Sequence, residues 1–186
     1  MEIKKHIDQV LQGHPDAFEW VVRRYQRNIA AYCYFMLGNR QEAEDAAQEV
    51  FFKAYRNLAS YRHDNDDLFL AWLYKIAGNH CRTLIQRKKK WKLLMPLFGI
   101  ARSEKSAEQI VSDRGDMDLQ WLEGLNAAEK EILALRVIED RSFQEISELL
   151  GISSSTVRKR FERLKKKLKR NREQWEDTGY EQRFEC

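Results

Sequence analysis

Apolar residues recur along this chain at intervals of three and four, the period of a helix that buries one face. Ile3, Ile7, Val10 and Leu11 mark a first helix over residues 2–12, which Gly13, His14 and Pro15 end. Asp16 is the expected N-cap of a second helix, in which Phe18, Val21, Val22, Tyr25, Ile29, Tyr32 and Met36 face inward until Gly38 closes it in the left-handed region. Asn39 followed by Glu42 predicts a capping box for a third helix, with Ala43, Ala46, Ala47, Val50, Phe51, Ala54, Tyr55 and Leu58 as its buried stripe. The polar, aperiodic residues 60–67 then read as a loop. A fourth helix follows over 68–90, with Leu73, Ile76, Ala77, Leu84 and His80 turned inward and Trp72 in the core.

The pattern breaks over residues 93–112, where Pro96 and Gly99 interrupt an apolar run and a polar stretch follows; this is the expected linker. Beyond it, Leu119, Leu122 and Leu125 predict a short helix, and Asn126 with Glu129 caps another that buries Ile132, Leu133, Leu135 and Val137. Ser142 with Glu145 forms a further capping box before Phe143, Ile146, Leu149 and Leu150, and Gly151 ends that helix. Ser153 or Ser154 caps a last helix carrying Val157, Phe161, Leu164 and Leu168 on one side. The fold class expected is all-α, with two small helical domains over 1–92 and 118–172, a linker over 93–117 and a tail over 173–186.

Composition narrows the chemistry. Hydrophobic residues are 43% and charged residues 33% of 186 positions, with two prolines and eight glycines, as in a helix-rich globule. No run approaches the roughly 20 apolar residues that span a bilayer, and no apolar core follows the basic start, so a cytoplasmic location is expected. Cys33, Cys81 and Cys186 lack metal or disulfide spacing and read as free thiols. His80 and Cys81 are neighbours on a helix, about 100° apart, and cannot readily share an ion. Neither a metal nor a cofactor is implied. Glycine-rich phosphate loops, HExxH and GxSxG are also absent, so no catalytic residues are expected.

The net charge of +4 hides an uneven distribution. Residues 158–172 hold ten basic side chains against the single acidic Glu162, residues 82–92 hold a second basic cluster, and residues 42–49 are acidic. Two helices joined at a glycine turn, the second strongly basic, match a helix-turn-helix that reads the major groove. Opposite Val157 and Phe161 lie Ser155, Arg158, Lys159, Glu162 and Arg163. Arginine can pair bidentately with guanine, whereas lysine and serine mainly hold the backbone. A merely solvated helix is the alternative. Capping box, glycine turn, apolar spacing and one-sided charge together favour DNA.

Three stretches carry a family resemblance. Residues 37–55, LGNRQEAEDAAQEVFFKAY, closely resemble the core-polymerase-binding helix of bacterial sigma factors. Residues 69–79, FLAWLYKIAGN, resemble the minus-10 helix, and residues 151–160, GISSSTVRKR, resemble region 4. Together, over about residues 10–170, the chain is similar to the extracytoplasmic-function (ECF) group of the sigma-70 family, which keeps only regions 2 and 4.

That resemblance implies a dissociable specificity subunit of core RNA polymerase that recognises promoter DNA. Glu42, Glu44, Asp45, Gln48 and Glu49 would dock on the polymerase clamp. Tyr61 belongs to the loop over 61–68 that would capture a flipped base, Lys75, Asn79 and Arg82 would touch the non-template strand, and Arg87, Lys88, Lys89 and Lys90 would hold phosphates. Ser154, Ser155, Thr156, Arg158, Lys159, Arg160 and Arg163 would read the minus-35 element. Thr83 departs from relatives that carry aspartate there, which bears on the minus-10 sequence preferred. The family further implies an anti-sigma factor, often anchored in the membrane, with no membrane insertion of the chain itself. A helix-turn-helix regulator that does not engage polymerase is the rival reading.

Overall fold

The computed structural model describes residues 2–61, 66–94, 122 and 124–181, with the backbone alone at 92 and 171–181. The chain divides into two compact units, Met1–Ile100 and Ala101–Cys186. Every regular element among the described residues is helical, as the periodicity predicts. The break between the units falls inside the expected linker, most of which lies outside the described residues, as do Leu119 and most of the short helix expected around it.

In the first unit, α1 (Glu2–Leu11), α2 (Phe18–Leu37), α3 (Arg40–Arg56) and α4 (Asp66–Leu94) surround one core. Gly38, at φ +71, ends α2 in a conformation that costs other residues strain, and its N–H reaches the Tyr34 carbonyl. The Asn39 side chain accepts the Glu42 N–H at 2.9 Å and starts α3. Glu42 does not return the bond as a full capping box would, because its carboxylate pairs with Lys88 of α4.

Asp16 is not the N-cap of α2. Pro15 starts a tight 3-10 turn over Pro15–Ala17, so the chain is already right-handed helical at Ala17 and no extended residue is left to cap. The fourth helix begins at Asp66, earlier than its apolar pattern suggests, since two aspartates in the first turn suit the positive end of the helix dipole.

The core of this unit holds residues that the apolar stripes omit. Phe35, Phe69, Tyr74, Cys33 and Cys81 are all buried. Tyr32 of α2 packs on Tyr74 of α4 with ring centroids 5.2 Å apart. Nearby, the sulfurs of Cys33 and Cys81 lie 3.8 Å apart as free thiols. Their hydrogen bond, together with burial, pushes the Cys33 thiol far above its ordinary range and keeps it protonated.

The second unit contains α5 (Ala127–Leu133), α6 (Phe143–Leu150) and α7 (Ser154–Glu181). Both predicted capping boxes form completely: Asn126 with Glu129 at 3.0 and 2.8 Å, and Ser142 with Glu145 at 3.2 and 2.8 Å. Such a cap satisfies backbone donors that the helix cannot, and its loss costs about 1 kcal/mol. Leu122, Leu125, Ile132, Leu133, Leu135, Ile146, Val157 and Leu164 form the core. Lys167 of α7 reaches Glu129 at the start of α5 at 2.9 Å.

Val137, expected inside, is 62% exposed. The chain widens into a π-helical turn over Ala134–Ile138, where the Glu139 N–H bonds the Ala134 carbonyl, so the spacing of 3.6 residues per turn no longer says which way a side chain points. The helix α7 runs to Glu181, into the residues expected as a tail, and 182–186 lie outside the described residues.

Candidate polymerase and promoter interfaces

The acidic row of α3 divides between two faces of the helix. Glu44, Asp45 and Gln48 are exposed to solvent, and Glu44 leans on Arg40 of its own helix at 3.1 Å. Glu42 and Glu49, seven residues apart and so on a common side, face other partners. Glu42 pairs with Lys88, while Glu49 lies 3.6 Å from Lys53, whose ammonium donates to His80 Nδ1 of α4 at 2.7 Å. Burial and the Lys53 charge hold the His80 imidazole below its ordinary pKa, so it stays neutral and accepts that bond.

Sequence reasoning missed Phe52, which is 55% exposed and continues the face of Asp45 and Gln48 by another turn, with the Arg56 guanidinium 5.7 Å from its ring. The signal was available: adjacent Phe51 and Phe52 point about 100° apart and cannot both enter the core. Tyr55, read as buried, is 40% exposed and sets its ring edge-on to Phe18 at 5.2 Å.

The residues expected to meet the minus-10 strand differ in burial and in partners. Tyr61 is buried between Phe69 and Trp72, at centroid distances of 5.0 and 5.3 Å, and Tyr25 closes the cluster at 5.6 Å from Phe69. These rings form one aromatic cluster, and the segment 62–65 is outside the described residues. Burial and the nearby carboxylate of Asp66 push the Tyr25 phenol up to about 12. Lys75, Asn79 and Arg82 share one stripe of α4, and Arg82 donates to the Asn79 side chain. Arg87 is exposed on a different side, and Lys88 is committed to Glu42.

The surface expected to read the minus-35 element is built by the turn between α6 and α7. Gly151 adopts φ +65, and the segment after it is tied back by Ile152 N–H to the Ser147 carbonyl and by the Ser147 hydroxyl to the Ile152 carbonyl. Ser153 is the residue that caps α7, accepting the Thr156 N–H at 3.3 Å. Its hydroxyl also binds those of Ser155 and Thr156, at 3.1 and 2.7 Å, which engages two of the predicted contacts in the cap. Ser154 is half-buried, whereas Arg158, Lys159, Arg160 and Arg163 extend into solvent. Val157 and Leu164 anchor the opposite side in the core.

Both units have counterparts among known proteins. The family model for Sigma-70 region 2 matches residues 21–91, and that for Sigma-70, region 4 matches residues 119–168. The ECF RNA polymerase sigma factor SigW of Bacillus subtilis is 36% identical over 182 residues, covering 91% of this chain and 96% of that protein. The RNA polymerase sigma-H factor of Pseudomonas aeruginosa is 28% identical, covering 87% and 89%. The sigma factor RpoE of Bartonella quintana, solved in complex with the anti-sigma factor NepR, shares the fold at a TM-score of 0.63 and 19% identity, over 84% of this chain and 96% of that one. The chain belongs to the sigma-70 family, and within it to the ECF RNA polymerase sigma factors.

Proposed function

We propose that the chain directs core RNA polymerase to promoters through three separate surfaces. Glu44, Asp45 and Gln48, extended by Phe52, dock on a basic surface of the polymerase clamp. The α4 stripe of Lys75, Asn79 and Arg82 meets the opened minus-10 strand, and the aromatic cluster of Tyr61, Phe69 and Trp72 fixes the start of that helix. Arg87, with Lys88 once it leaves Glu42, holds phosphates. Arg158, Lys159, Arg160 and Arg163 contact the minus-35 duplex, and the Ser153 cap positions the start of the reading helix.

The observation that carries this reading is the solvent-facing acidic row of α3, which suits a basic protein surface and not a DNA backbone. Carboxylates there raise association with a basic partner and oppose association with DNA. The protein supplies specificity and strand capture, with the polymerase supplying the chemistry. A chain that works with polymerase on promoter DNA acts in the cytoplasm on this reading. No helix among the described residues is long and apolar enough to cross a membrane. An anti-sigma factor that covers these surfaces is the proposed regulator, supported by the family and by the complex in which the Bartonella quintana relative was solved.

Run-off transcription with core RNA polymerase on fragmented genomic DNA tests the proposal. Discrete transcripts that require the chain are expected; DNA retention by the chain with no polymerase association and no transcript favours the rival regulator.

A further inference from the structure

One aromatic ring at the start of α6 has two arginines against it. The guanidinium of Arg136 lies 5.3 Å from the centroid of Phe143, and that of Arg158, from the solvent face of α7, lies 5.5 Å from it. The ring itself is held. The Ser142 and Glu145 capping box fixes the backbone at Phe143, and the Phe161 ring of α7 packs on it at 5.5 Å with a 60° tilt. Arg136 is held in turn by Asp140 at 3.3 Å and by the Arg141 carbonyl at 3.1 Å. Among the described residues, Lys159, Arg160 and Arg163 make no comparable side-chain contact.

The chemistry of this contact suits a base reader. A guanidinium carries its five N–H donors in its own plane, and a ring beneath its central carbon attracts the charge without using any of them. Arg158 therefore keeps a bidentate edge for the O6 and N7 of guanine while much of its rotamer freedom is already spent. A side chain ordered before binding loses less entropy on binding.

We propose that Phe143 is a positioning residue for minus-35 recognition: without touching DNA, it aims Arg158 so that discrimination for guanine at one base position depends on the ring. The proposal rests on the reading of α7 as the minus-35 helix. It assigns selectivity at that position to a pair of side chains drawn from both helices of the motif, rather than to α7 alone.

The test uses the full chain bound to core RNA polymerase and a duplex library randomised across the minus-35 element, with bound sequences counted against the input. Arg158→Ala is expected to erase preference at one position. Phe143→Leu, which fills the site without a π face, is expected to weaken preference at that same position by about 2- to 5-fold, the range of a solvent-exposed cation–π contact, and to leave other positions sharp. Phe143→Trp restores it. Full preference in Phe143→Leu alongside its loss in Arg158→Ala overturns the proposal and leaves the minus-35 reading intact. Unchanged preference in Arg158→Ala overturns the proposal, and unchanged preference when Lys159, Arg160 and Arg163 are replaced as well overturns the minus-35 reading too. Should Phe143→Leu and Phe143→Met each lower binding equally on every sequence, Phe143 serves the fold alone and the proposal fails.

Discussion

The two helices proposed to meet DNA hold their cations in different ways. On α4, Arg82 is bonded to Asn79, and Lys88 is paired with Glu42 across to α3. On α7, Lys159, Arg160 and Arg163 stand in solvent, and Arg158 rests on a ring that leaves its donors available. On the proposed reading, DNA would displace intramolecular partners from Arg82 and Lys88 on α4, where Lys75 and Arg87 stand exposed, whereas the four cations proposed to meet it on α7 are all presented to solvent.

The contrast can be broken most strongly at α7. Arg158→Ala should cost about 1 to 3 kcal/mol on the preferred minus-35 sequence, whereas Lys88→Ala should cost less, because the wild-type lysine gives up Glu42 in order to bind. Titration of labelled promoter with holoenzyme compares the two, and equal losses would erase the distinction. Next comes the turn that sets α7: Gly151→Ala forces a side chain into the left-handed region at about 1 to 2 kcal/mol, read as a lower Tm with the chain otherwise folded.

Acid sharpens the comparison through the cap beneath Phe143. Hydrogen bonds from Ser142 and the Arg141 guanidinium hold the Glu145 carboxyl down to about 2, against an ordinary 4.5. A depressed carboxylate stabilises the fold above its unfolded pKa and loses that contribution as pH falls from about 4.5 towards 2. With the side chain 46% exposed, solvent screens the pair, and the cap value of about 1 kcal/mol is the better guide. Thermal unfolding should show Glu145→Gln losing stability at pH 7 and approaching the wild type as pH falls towards 2, whereas Ser142→Ala, which also removes the acceptor of the Glu145 N–H, stays less stable throughout. The smallest effect belongs to Glu42→Gln, which frees Lys88. An exposed pair contributes at most about 1 kcal/mol, so the readout is a steeper salt dependence of minus-10 binding, by about one phosphate contact.

Local chemistry was legible along the chain, and long-range pairing was not. Asn39, Asn126, Ser142, Gly38 and Gly151 mark helix ends because caps and left-handed turns act within a few residues. Asp16 misled because Pro15 had already committed the backbone, and Val137 because the helix widens where it ends. The meeting of Cys33 with Cys81, 48 residues apart, depends on how α2 packs against α4, which no local pattern encodes. The pairing of Glu42 with Lys88 has the same origin. At the candidate sites, residue types and faces were visible from spacing. Their engagement was not: the Ser153 hydroxyl occupies Ser155 and Thr156, and Tyr61 is buried among other rings rather than exposed.

The central claim, that the acidic face of α3 joins this chain to polymerase, is tested most directly by core binding of Glu44→Lys combined with Asp45→Lys. Neither residue is buried, so the helix should stay folded. Native gel shift with core RNA polymerase should show affinity lowered by about 100-fold or more, as charge reversal opposite a basic surface costs several kcal/mol, with helicity by circular dichroism unchanged. Wild-type affinity in the folded double variant would contradict the account.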